Sequence, residues 1–387
     1  MPETDRIQKG FNFRARLPKV FGAVALLLLA VTAVVIVYTL FFSKQNPEFR
    51  MKNLPASLSK DVVASIDNYE RREMDGELTK YYIRADKAVS FADNHQELEN
   101  VFLEVFNDDG TASDKIAAQK AIYIPAENKN FTAYFAGKVN IDTRDALKVR
   151  TEQLTYKKET EIALAEESVE FERNNVSGKA ASATVHVREK TLELNRDVEI
   201  NSIADNSDEA HLKAGNAIYD HANEKIELHD TVTVAMSSPS IGGKASRKSD
   251  LSASRVVAYL LPGSSEKREL SKVELFDGVH IDTAEGDASP TQISSNYALY
   301  EKTADRFELK DDVHIITSSR DKPTDIKASH AVYQQATGKI DLEGNAEVAQ
   351  ASNNVKGDRI HAQLDEAKKM RQANAAGNAS AKSAAFA

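Results

Sequence analysis

The stretch VELFDGVHI, Val273 to Ile281, places apolar side chains at its first, third, seventh and ninth positions around a turn-prone triplet, and the 387-residue chain writes that pattern six times. The other copies are Ala133-Phe135…Val139-Ile141, Leu192-Leu194…Val198-Ile200, Ile226-Leu228…Val232-Val234, Phe307-Leu309…Val313-Ile315 and Ile340-Leu342…Ala346-Val348. A seventh, Ile162-Leu164…Val169-Phe171, carries one extra residue. All apolar offsets in the regular copies are even, while Glu, Asp, His, Asn and Thr fill the odd ones, so one face of an extended strand stays apolar throughout. Helical spacing would not keep that parity. The central triplets Ala-Gly-Lys, Asn-Arg-Asp, His-Asp-Thr, Phe-Asp-Gly, Lys-Asp-Asp and Glu-Gly-Asn mark either a tight turn or a kink that bends a long strand.

A second element ending in Tyr stands upstream of several copies: KAIY to Tyr123, QLTY to Tyr156, NAIY to Tyr219, YALY to Tyr300 and HAVY to Tyr333. Polar linkers such as QQATG join it to the next apolar pair as hairpin loops do. First apolar positions recur at intervals of 29, 30, 34, 47, 34 and 33 residues, a period at which sequences build stacked arrays. One two-stranded unit is marginal in water, but each can bury its apolar face against the next. The expected fold is therefore all-β, an elongated antiparallel β-jelly roll or a pair of them built from hairpin repeats. The tail after Met370 lacks the pattern and is expected to be disordered.

One stretch departs from this design. Val20 to Phe42 is 23 residues without a charge, roughly 34 Å as a helix and enough to cross a bilayer core. Val31-Thr32-Ala33 could suit a signal peptidase, but the apolar run continues well beyond it, which favours a retained single-pass anchor. Five basic residues against two acidic ones precede it, placing the N-terminus in the cytoplasm and the bulk of the chain outside. Subtracting the +3 of residues 1–19 from the chain's net −9 leaves −12 on the exported part, which repels a polyanion, so no nucleic-acid partner is expected. There is no Cys, and hence no disulfide framework or thiolate site. The nine His show no metal-ligand spacing and are expected at surface or edge positions. Ser240 to Ser246, SIGGKAS, lacks the first Gly of a phosphate loop and reads as a plain loop. No nucleophile elbow is present, and paired carboxylates such as Asp311-Asp312 fall on turns, so no catalytic residue, metal or cofactor is expected.

Ala328 to Met370, with L-x-G-N-A at Leu342 to Ala346 and N-x-K-G-D-x-I at Asn354 to Ile360, resembles the last repeat of LptA/OstA-type proteins of lipopolysaccharide transport. The anchor followed by Met74 to Gly110 resembles LptC, the single-span partner in the same pathway. The resemblance implies a cytoplasmic tail at 1–19, a transmembrane helix at 20–42, a linker at 43–60, an LptC-like jelly roll at 61–205, an LptA/OstA-like jelly roll at 206–370 and a free tail at 371–387.

It also implies an inner-membrane, periplasm-facing protein that receives lipopolysaccharide from an ABC transporter complex and passes it along an apolar groove toward the outer membrane. The candidate groove residues are Phe135, Val139, Ile141, Leu194, Val198, Ile200, Leu228, Val232, Val234, Leu275, Val279, Ile281, Leu309, Val313, Ile315, Leu342 and Val348. If that groove is open, Leu309→Asp impairs lipid passage more than folding. Open sheets recruit strands at their edges. The edge near Asp61 to Tyr82 is expected to meet the transporter, and the edge carrying Val355, Arg359 and Gln363 to meet another β-jelly-roll protein. Two competing readings are a structural or adhesive β-repeat scaffold with a closed core and a carbohydrate-active enzyme, the latter disfavoured by the absence of Trp.

Overall fold

The computed structural model describes residues 58–382 except 108, 128–129, 145, 204–207, 241–244, 262–269, 287–290, 318–322, 335 and 365–369. The anchor expected at 20–42 and most of SIGGKAS lie outside the described residues. Among the described residues no helix is long and apolar enough to cross a membrane.

All strand pairings are antiparallel, and most join strands consecutive in the chain. β1 (Val62–Asp75), β2 (Leu78–Phe91), β3 (Gln96–Phe106), β4 (Ser113–Pro125), β5 (Phe131–Asp142) and β6 (Lys148–Lys157) form a meander. β6 then divides its pairing between β7 (Ile162–Ala165) and β8 (Val169–Arg173), the two halves of the irregular seventh copy. These meet β10 (Ser182–His186) and β9 (Val176–Ala180), which together pair with β11 (Thr191–Ile203). The regular meander resumes through β12 (Glu209–Asp220), β13 (Lys225–Ser238), β14 (Arg247–Leu260), β15 (Leu270–Glu285) and β16 (Thr291–Glu301). It continues through β17 (Arg306–Thr317), β18 (Thr324–Gln334), β19 (Lys339–Gln350) and β20 (Asn353–Leu364). On either side of the expected boundary at 205/206, β11 and β12 pair up to Ile203 with Glu209.

The triplets are kinks inside continuous strands and not turns. Two successive residues take a left-handed backbone in each: Gly137-Lys138, Arg196-Asp197, Asp230-Thr231, Asp277-Gly278, Asp311-Asp312 and Gly344-Asn345. Gly, Asp and Asn tolerate that conformation best, which explains why the triplets look turn-prone. Each of these strands carries one residue more than its neighbours at the kink, as where Lys310 and Val313 oppose His330 and Ala328. Such a bulge bends and twists the ladder. Thr231, β-branched at φ 60°, is the strained member. Thr231→Asn should raise stability by about 1 kcal/mol in urea unfolding, and an unchanged midpoint would show that the kink carries no strain there.

The bend folds the sheet over its own apolar face. On that face Leu228 and Val232 are 4% and 0% exposed, a burial that requires a second layer. The buried residues on either side of the kinks join in one core cluster, and the described residues supply no covering helix, so the half-strands cover each other. Opposite each kink the intervening strands put small residues three apart, Ala214 and Ala217, Ser295 and Ala298, Ala328 and Ala331, into the same core. Small side chains let the sheet close tightly at the crease.

Two expectations are corrected. Within the tail, residues 370–382 are ordered: β21 (Met370–Ala376) and β22 (Ser380–Lys382) pair with β20. His95 is not at the surface: it is 1% exposed, stacked on Phe91 at 4.2 Å and bonded to Asp93, whose other carboxylate oxygen accepts the Ser59 backbone N–H. The start of the described chain is thereby fastened to the β2–β3 turn.

Candidate functional site

The inner face of the folded sheet is graded from crease to opening. Of the candidate groove residues, those flanking the kinks are closed core: Phe135, Val139, Leu194, Val198, Leu228, Val232, Leu275, Val279, Leu309, Val313 and Leu342 are all buried. Those one step further out, Ile141, Ile200, Val234, Ile281, Ile315 and Val348, are half-buried and pack against that core. The intervening strands add half-buried residues in register: Val149 beside Ile141, Leu212 and Leu251 beside Val234, Ile293 beside Ile281 and Ile315, Ile326 beside Val348. Together they form a continuous apolar stripe crossing the strands from β5 to β20, roughly 60 Å at ~4.8 Å per strand.

The opposite lip, on the other side of the crease, carries two aromatic clusters among aliphatic residues such as Ile226, Val273 and Ile340. Phe131 lies between Tyr123 and Tyr156 at ring distances of 5.1 and 5.8 Å, and Phe307 lies between Tyr300 and Tyr333 at 4.5 and 6.5 Å. The sheet gathers these tyrosines into rows because each sits two residues outward from a crease residue such as Ala121, Ala298 or Ala331. An apolar stripe facing an aromatic lip across a closed crease can hold alkyl chains; it offers no convergent acid, base or nucleophile. Among the described residues no group of His, Asp and Glu is arranged to hold a metal ion.

From β11 to β20 most charged side chains lie on the outer face. Glu308, 6% exposed there, accepts hydrogen bonds from Arg306 (2.7 Å), and pairs with Lys310 and His330, each at 2.9 Å. Burial alone would raise its pKa; the bonds from Lys310 and His330 and the charge of Arg306 outweigh burial and hold the carboxyl below its usual range. Arg255 lies 4.3 Å over the Phe276 ring and Lys310 5.2 Å over Tyr297, so long cations cover the outer aromatics. With its polar groups paired outward, the sheet leaves the inner stripe to apolar contact.

The edges differ from expectation at one end. β1 pairs only with β2, and Val62, Val63 and Ile66 on it are exposed, so the N-terminal edge is open among the described residues. The C-terminal edge is not: Val355 pairs with Ala381, Arg359 with Ala376 and Gln363 with Gln372. Val355 moreover faces the inner stripe and packs on the core. Sequence reasoning missed the stripe residues of the intervening strands, although the Tyr-ending elements already marked where those strands end.

Comparison with known families returns two matches. Residues 25–195 match the model described as "Lipopolysaccharide-assembly, LptC-related", and residues 247–368 match that described as "LptA/(LptD N-terminal domain) LPS transport protein". No curated protein matches the chain significantly. Within the described residues the two matched lengths cover β1 into β11 and β14 to β20 of one sheet, and β12 and β13 between them pair in the same antiparallel order.

Proposed function

We propose that this chain, which belongs to the lipopolysaccharide-transport proteins through its LptC-related and LptA/LptD N-terminal-type segments, carries lipopolysaccharide by its acyl chains along the stripe and aromatic lip of the folded sheet. Proteins of these families are periplasmic bridge components that bind lipopolysaccharide and other proteins of the pathway, and they are not enzymes. The observation that carries the reading is the half-buried inner stripe, which one sheet extends without a break from β5 to β20. An acyl chain of a dozen methylenes exposed to water costs on the order of 10 kcal/mol, at ~0.8 kcal/mol each, so lipid crossing an aqueous compartment needs continuous cover. A uniform stripe exchanges one apolar contact for another at each step, so movement along it is nearly neutral and the drive comes from elsewhere.

On this reading residues 20–42 anchor the chain in the inner membrane with residues 1–19 cytoplasmic, the open β1 edge meets an ABC transporter complex, and the β20 end delivers lipid to a further β-jelly-roll protein. Photocrosslinkers at Val234, Ile281 or Ile315 should trap lipopolysaccharide in cells, whereas those at the outward-facing Thr233 and His314 should not. If every stripe position fails to capture lipid, the sheet is a closed scaffold and the structural reading replaces this one.

A further inference from the structure

The tail that pairs with β20 is an eighth copy of the repeat written in alanine. Ala373-Ala375…Ala379-Ala381 stands 33 residues after Ile340, the interval that separates Phe307 from Ile340, and Ala376-Gly377-Asn378 fills the place of Glu343-Gly344-Asn345. Gly377 and Asn378 take φ of 68° and 43°, as Gly344 and Asn345 take 77° and 52°. The bulge is present too. Between the pairs Lys356 with Ser380 and Arg359 with Ala376, the tail spends one residue more than β20. Gly377 accepts the Asp358 backbone N–H at 2.8 Å, and the Asn378 amide donates to the Asp358 carboxylate at 3.1 Å.

What the copy lacks is side-chain burial. Ala375 packs half-buried on the core, and Ala373, Ala379 and Ala381 are exposed. The tail thus has the register, the bulge and the backbone bonds of a repeat strand without its branched apolar residues. A strand carrying Ile, Leu or Val at the same offsets would make the same backbone bonds and bury more apolar surface against the crease and stripe.

We propose that residues 370–382 are a placeholder strand, occupying the β20 edge until a strand of another β-jelly-roll protein with branched residues in the same nine-residue pattern replaces it. The exchange keeps hydrogen bonding nearly constant and gains side-chain burial, so it needs no energy source. While in place, the alanine copy blunts an edge that would otherwise recruit strands indiscriminately. This inference rests on the edge-addition part of the proposed function and is independent of lipid passage.

The test uses the full chain and, as probe, a labelled peptide copying Lys339–Gln350, whose Gly344-Asn345 supplies the matching bulge. In the doubly substituted chain Gln363→Cys, Gln372→Cys, the opposed positions can form one disulfide, because the protein has no other Cys. The oxidised form should not bind the peptide and the reduced form should. Asn378→Val, which puts a β-branched residue at positive φ and removes the bond to Asp358, should tighten peptide binding by about tenfold, since each 1.4 kcal/mol lost by the tail is one such factor. Equal binding by oxidised and reduced forms, or binding by none of the proteins, overturns the proposal. Lipid crosslinking at Val234, measured in the same locked chain, reports on the trough separately, so a failure of either reading is seen by itself.

Discussion

Val232→Asp should abolish cooperative folding, while Val234→Asp, two residues along the same strand and on the same face, should leave the sheet folded and stop lipid crosslinking. Val232 is 0% exposed in the crease, paired beside Ala253, where an ionised carboxylate has neither water nor a partner. Such a burial costs at least several kcal/mol, comparable with the ~5–15 kcal/mol that holds a domain together. Val234 keeps one side open, so a carboxylate there retains solvent and loses only the contact of its methyl groups, about 1 kcal/mol. Urea unfolding of both variants, with lipid capture at Ile281 in each, separates the two effects. Equal loss of stability would mean that crease and stripe are one closed core. The same logic reverses the expectation for Leu309: it lies in the crease at 8% exposure, so Leu309→Asp is a folding variant and Ile315→Asp its lipid-passage counterpart.

The second large effect concerns the bulges. Gly344 and Gly278 both hold positive φ, 77° and 65°, at equivalent kinks, yet a Cβ on Gly344 would stand 2.6 Å from Ser329 Oγ and 2.7 Å from its Cβ, whereas one on Gly278 meets nothing within 4 Å. Gly278→Ala should cost only the backbone penalty of about 1–2 kcal/mol. Gly344→Ala should cost that and a further 1–3 kcal/mol of overpacking, because Ser329 sits on β18 and cannot withdraw without parting the ladder. Chemical denaturation of the two variants checks the difference. If they lose the same stability, the kink is held by backbone conformation alone, and the close approach of β18 to β19 adds nothing to it.

The strands themselves follow from local patterns. Even-numbered apolar offsets commit Phe307 to Ile315 to one face of an extended chain, and at least one Gly, Asp or Asn in each left-handed pair eases the backbone that lets a strand bend without ending. Both are properties of a few neighbouring residues, so a nine-letter stretch suffices to reveal them. The alanine copy at 373–381 obeys the same rules, but alanine carries too little apolar surface to mark a strand in the sequence. Its strand character comes from the edge of β20, which supplies backbone partners to a segment with little propensity of its own.

Which even positions close and which stay open is a different kind of fact. Leu228, Val232 and Val234 are equivalent in the pattern, and only the distance from the crease, measured across to a half-strand that lies over them, makes the first two core and the third a lining residue. That distance depends on the bulge recurring in register on β5, β11, β13, β15, β17 and β19, and on small residues three apart in the strands between, so no single stretch contains it. Local parity determined that the chain has one apolar face; burial, which depends on what a distant segment covers, decided where that face is sealed and where it stays half-exposed.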